Sequence, residues 1–166
     1  MKTYCLTGIF TVFFVLFSNG ILAQTTRSKL DHLELMKQWI GNWKADIGKD
    51  TTYTIQCKPF FNGYEFYIKE ETRGKLILEE KTLLGYDKKT GKLLESAVNS
   101  MSQGISLYSV WFTSPNRSEL IYLEDISTPG KAKYKWITEF ITPGLMTYTD
   151  LVDNKPTGIR TFHRIK

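Results

Sequence analysis

The chain has 166 residues, with 22 Lys and Arg against 17 Asp and Glu and a formal net charge of +5. That length is one domain's worth, with enough core to stand without metal or disulfide staples. The surplus charge is interleaved with acidic residues, as in Lys69-Glu70-Glu71 and Glu79-Glu80-Lys81, and forms no basic arm or stripe, which argues against a nucleic-acid partner.

In chain order, Lys2 precedes an apolar run from Ile9 to Phe17, then Ser18-Asn19-Gly20, then Ile21-Leu22-Ala23, a small residue where a peptidase would cut before Gln24. This pattern predicts a secretory signal peptide over residues 1–23 and one mature domain over 24–166. The expected destination is the periplasm or the medium. The run is shorter than the roughly 20 residues that span a bilayer, and no later stretch competes with it, so no membrane span is predicted. Cys5 precedes the run and cannot be a lipid-modified cysteine of a bacterial lipoprotein. Cys57 is then alone and continues the alternation Tyr53, Ile55, Cys57, which reads as a small apolar strand residue.

One helix is predicted, over 29–40. Ser28 and Asp31 resemble a capping box, Leu30, Leu33, Met36 and Ile40 recur at helical spacing, and Gly41 stops the run. From Trp43 onward the apolar period becomes two. Ten strands are expected, over 43–47, 52–58, 64–71, 76–86, 93–101, 105–113, 119–127, 133–141, 145–153 and 157–165. Turn signals separate them: Pro59 to Gly63, Arg73-Gly74, Asp87 to Gly91, Gln103-Gly104, Pro115-Asn116, Pro129-Gly130, Pro143-Gly144 and Asn154 to Gly158. So many short, half-apolar strands joined by tight hairpins favour closure into an all-β, single antiparallel up-and-down barrel, because closure removes exposed edges.

At Gly41-Asn42-Trp43 the chain resembles a family. A short helix leading into G-x-W, an up-and-down meander and a late arginine, Arg164, are similar to the lipocalin and fatty-acid-binding superfamily of calycin barrels. The hairpin Gly85-Tyr86-Asp87-Lys88-Lys89-Thr90-Gly91-Lys92 looks like that of a bacterial lipocalin-like family of unassigned function. That family often carries a tryptophan and an aspartate in the following strand, where this chain has Ala97 and Asn99. The resemblance implies that Gly41, Trp43 and Arg164 close the barrel floor, with Arg160 as the substitute arginine. It also implies a lumen able to hold one small molecule.

The candidate lumen residues are Tyr53, Tyr64, Phe66, Trp111, Tyr134, Trp136 and Tyr148, with Phe140, all assigned to inward faces by alternation. Tyrosine and tryptophan would add polar handles to an apolar wall. Glu80, Glu95, Asn99 and Asp150 are read as outward or close to a solvated mouth; were two carboxyls to face one another in the lumen, they would suggest acid–base work. Lys131, Lys133 and Lys135 share one solvated outer face. His163 would be the axial ligand if the resemblance extended to haem-binding barrels, but no cofactor and no metal site is expected.

The sequence therefore points to an exported barrel binding a small hydrophobic or amphipathic molecule without catalysis. Two alternatives stand beside it. One is an enzyme using the same cavity for isomerisation or haem chemistry. The other is a guest-free interaction protein of the cell envelope, hinted at by Phe60-Phe61 in a turn. No residue specifies an oligomeric state.

Overall fold

A computed structural model describes residues 30–166. The predicted signal peptide and Ser28 lie outside the described residues. A short helix, α1 (His32–Met36), continues into a single 3-10 turn, Lys37–Trp39. The helix is shorter than the 29–40 expected from its period. Asp31 is the N-cap, its carboxylate accepting the Glu34 N–H at 3.0 Å. The far end tightens because Trp39 must turn inward and offer its carbonyl to the barrel.

Among the described residues the strands are β1 (Gly41–Ile47), β2 (Thr51–Phe60), β3 (Gly63–Thr72), β4 (Lys75–Asp87), β5 (Lys92–Asn99), β6 (Ser106–Ser114), β7 (Arg117–Tyr122), β8 (Tyr134–Thr142), β9 (Leu145–Val152) and β10 (Lys155–Ile165). Each is antiparallel to its chain neighbours. β10 returns to pair with β1, placing Trp43 opposite Arg164 and Lys44 opposite His163, so the sheet closes. The protein is an all-β, ten-stranded up-and-down barrel with one short helix before it. Closure leaves no sheet edge for another chain to extend.

The turns follow their residue chemistry. Asp87 accepts from the Lys89 and Thr90 N–H groups and the Thr90 hydroxyl, folding its own hairpin so that Gly91 can take φ +68°. The one connection that departs from the expected strands follows β7. The chain leaves the ladder at Tyr122 rather than continuing to Ser127, and makes two 3-10 turns, Leu123–Asp125 and Pro129–Lys131. The first turn packs on β6. Ser109, Ile121 and Ile137, which point outward by strand parity, are buried, as is Ala132 in the connector.

The main core fills the end of the barrel beneath α1. Trp43 is fully buried and its indole N–H donates to the Trp39 carbonyl at 2.8 Å. Trp39 meets Phe66 and Phe140 edge-on at 5.6 and 5.4 Å. The Arg164 guanidinium lies over the Trp43 ring, 4.2 Å from its centroid. It also donates to the carbonyls of Pro143 and Gln38 at 2.8 and 2.9 Å, and to that of Ile40. Gly41 has φ +123°, and a Cβ there would come within 2.9 Å of the guanidinium, so only glycine admits this clasp. The helix is held down by long-range bonds: the Phe112 N–H donates to His32 Nδ1, the Gln38 amide to the Pro115 carbonyl, and the Tyr64 hydroxyl to the Leu33 carbonyl. This end is a floor. The opposite end, where β9 turns into β10 and β3 into β4, is the mouth.

Candidate functional site

Above the floor the interior is not filled. A cavity of about 60 Å³ lies between Met36 and Trp39 below and the walls contributed by Phe66, Leu84, Val110, Leu120 and Trp136. Four polar side chains share that wall: Glu95, Ser118, Thr138 and Tyr148. Strand pairing explains why they converge. Glu95 sits opposite Leu84 on one side and Tyr108 on the other, Ser118 opposite Thr138, and Thr138 opposite Tyr148, each in register with residues of the buried core. Directly opposed residues on one sheet face stand about 5 Å apart.

The side chains of these four polar residues make no hydrogen bond among the described residues. Glu95 is enclosed by the barrel yet keeps accessible surface, and that surface is cavity wall. A buried carboxyl or hydroxyl without a partner costs about 1–3 kcal/mol, more for a charged group, and most buried polar groups in folded proteins avoid it. Burial, and then the charge of Glu80, push the Glu95 carboxyl up to about 8 from its ordinary 4.5. At neutral pH Glu95 is therefore largely the neutral acid, able both to donate and to accept. Burial also pushes the Tyr148 phenol well above its ordinary value.

A second polar layer lies toward the mouth. Arg160 and Asp150 form an ion pair in the upper lumen, and the guanidinium is sandwiched between the rings of Tyr53 and Tyr148, 5.1 Å from each centroid. Its buried Nε has no hydrogen-bond partner. Gly158, opposite Asp150, leaves the space that carboxylate occupies, since a Cβ there would sit 2.9 Å from Oδ2. Glu80 accepts from the Asn99 amide at 3.3 Å and the Thr82 hydroxyl at 3.4 Å, while burial raises its pKa against both bonds.

The residues singled out by alternation are dispersed. Phe66, Trp136 and Tyr148 line the cavity, and Tyr53 faces the upper lumen beside Arg160. Tyr64 and Phe140 belong to the floor, and Tyr134 stands at the mouth, 40% exposed, with the Lys133 ammonium over its ring. Trp111 faces outward: it alternates with the buried Val110 and Phe112, and the Lys92 ammonium lies 5.1 Å from its ring. Of the carboxyls, Glu80 and Asp150 lie in the layer toward the mouth, as one part of the expectation allows, and Glu95 departs from it. Glu80, Glu95 and Asp150, with Asn99, all turn inward, because each shares the parity of its strand's buried residues, as Glu95 does with Leu93 and Ala97.

Other chemistry does not gather here. The Cys57 thiol is pushed up to about 12, first by burial and then by Glu95, so it is inert as a nucleophile at neutral pH. His163 is exposed and alternates with buried Phe162, on the outside of the barrel and away from any axial position in the lumen. Lys135 pairs with Glu119 at 3.5 Å on the outer face. No group of three or more His, Cys, Asp or Glu arranged to hold a metal ion occurs among the described residues. No helix among them is long and apolar enough to cross a membrane. An open groove of about 750 Å³ runs outside the floor between α1 and the β2–β3 turn, but it is solvated and brings together no unpartnered buried polar group. No protein-family model and no curated protein matches the chain.

Proposed function

We propose that the protein is an exported, lipocalin-like barrel that holds a compact amphipathic molecule in its lumen. The observation that carries this reading is the group of unpartnered polar side chains, Glu95, Ser118, Thr138 and Tyr148, converging in an otherwise apolar cavity. An apolar wall with a few convergent polar groups is the usual make-up of a small-molecule site. The export half of the proposal rests on the pattern over residues 1–23, and the lipocalin-like half on G-x-W, the arginine clasp and the closed meander.

Size narrows the guest. Drug-sized pockets measure about 300–1,000 Å³, and this cavity is about 60 Å³. The guest has few heavy atoms, or a slender body that reaches toward the mouth. Long fatty chains do not fit unless Met36 or Trp39 withdraws.

A second reading, acid–base catalysis in the same cavity, is favoured by Glu95 itself, a carboxyl that titrates near neutrality and faces a cavity. Binding is preferred because, among the described residues, no side chain is hydrogen-bonded to Glu95 as a nucleophile–base pair would be.

Mass spectrometry under non-denaturing conditions, on protein purified from its source, is the direct test. The expected result is a small adduct that leaves on unfolding and that Leu120→Trp, which fills the cavity, abolishes. The bare polypeptide mass for both proteins would overturn the binding reading. An adduct chemically converted by the wild type and left intact by Glu95→Gln would favour the catalytic one.

A further inference from the structure

The carboxyl groups that face the lumen outnumber its bases. By strand parity and register, Glu70, Glu80, Glu95 and Asp150 all point inward above the floor, while Arg160 is the one inward-facing base there among the described residues. Asp150 takes up Arg160. Three glutamates are left with no cationic side chain paired to them.

The wall beside Glu95 is a set of π-faces. Tyr108 lies directly across the strand pair from Glu95. It meets Trp136 edge-on at 5.7 Å and stacks with Tyr122 at 5.0 Å, and Tyr122 in turn meets Trp136 at 5.5 Å. Trp136 reaches the cavity itself, and Asp150 is its cross-strand neighbour. Aromatic faces carry negative charge density and attract organic cations, most strongly where water is excluded.

An independent feature points the same way. Tyr148, half-buried on β9, presents an unpartnered phenol to the cavity, and the buried Thr138 beside it presents an unpartnered hydroxyl. Carboxyl and hydroxyl oxygens from three strands, each with free acceptor capacity, thus converge on a space edged by aromatic rings. The complementary group is one with N–H donors and a positive charge.

We infer that the lumen's guest is a small organic cation, an alkylammonium whose charged head lies between Glu95 and the Trp136–Tyr108 faces and whose short apolar body occupies the floor side of the cavity. This rests on the lumen-binding reading above and names its ligand class. A buried carboxylate is costly when alone and tolerable when paired and hydrogen-bonded; an ammonium supplies both the charge and the donors that no side chain among the described residues gives to Glu95.

Isothermal titration of the mature chain with three probes of matched size, n-propylammonium, 1-propanol and propionate, tests it. The expected order is ammonium at least tenfold tighter than the alcohol, with propionate silent. Glu95→Gln is expected to bring the ammonium down to the level of the alcohol, and Trp136→Leu to weaken it without changing the alcohol's rank against propionate. Should Glu95→Gln fail to fold, Glu80→Gln is the substitute and must weaken the ammonium selectively. Equal or tighter binding of the alcohol or of propionate would overturn the cation assignment and leave lumen binding standing. Silence from all three would also overturn it, and an adduct on the source-purified protein would then keep the binding reading alive by itself.

Discussion

Glu95→Gln is expected to stabilise the barrel at pH 8 by a few kcal/mol relative to its effect near pH 4.5. In the unfolded chain Glu95 loses its proton near 4.5, whereas the folded barrel retains it to about 8. Between those values the folded state binds more protons than the unfolded one, so stability falls as pH rises across the window and levels off above it. Each unit of difference corresponds to about 1.4 kcal/mol. Glutamine keeps the size and the hydrogen-bonding capacity of the neutral acid and cannot ionise. The difference in unfolding free energy between variant and wild type, read from urea midpoints, should therefore be small at pH 4.5 and grow steadily to pH 8. Subtracting the two proteins removes the shared groups that do not interact with Glu95; Glu80, whose charge raises the Glu95 pKa, stays in the difference as part of the same titration. A difference independent of pH would mean that the Glu95 carboxyl is solvated.

Trp43→Ala is expected to be the most damaging single change to the floor, costing about 3–5 kcal/mol. The indole is fully buried and stands at the junction of β1, β10 and the helix end. Its loss opens a void beneath Phe140 and leaves the Trp39 carbonyl without its donor. It also removes the ring beneath the Arg164 guanidinium. Trp43→Phe refills most of the space but supplies no N–H, so it should cost clearly less, about 1–3 kcal/mol. Thermal or urea unfolding of the three proteins checks the ranking. Equal losses for the two variants would show that the hydrogen bond to Trp39, and not the packing, holds the floor.

The ten strands were legible because their breaks carry their own chemistry. Asp87 to Gly91, Pro115-Asn116 and Pro143-Gly144 each interrupt an alternating run, and hairpins this short leave few topologies other than a meander. Boundaries were less legible where apolar residues continue past the last ladder bond. After β7 the apolar residues Leu123 and Ile126 continue with no glycine or proline to mark a break before Pro129, yet the chain leaves the ladder at Tyr122 and makes two 3-10 turns.

Facing was the weaker part of the reading, for a physical reason. Val110-Trp111-Phe112 is apolar on both sides of the strand, so its pattern cannot say which side is inner, and a slip of one residue exchanges the faces. The larger difference concerns Glu95. Glu95 sits between Leu93 and Ala97 in parity, which places it inward, but the usual cost of burying a charge argued for solvent. The structure resolves the conflict by leaving a cavity beside it and keeping it protonated. Whether side chains fill a barrel depends on volumes summed over ten strands and on how far α1 inserts Met36 and Trp39, quantities that no local pattern contains.

The central claim is that the polar groups around the cavity exist to meet a guest. A high-resolution crystal structure of the protein purified from its source tests it most directly. The account predicts continuous density from a small molecule within hydrogen-bonding distance of the Glu95 carboxyl and the Tyr148 hydroxyl, seated against Trp136. A lumen closed by its own side chains, with Glu95 and Tyr148 bonded to each other or to backbone, would contradict it.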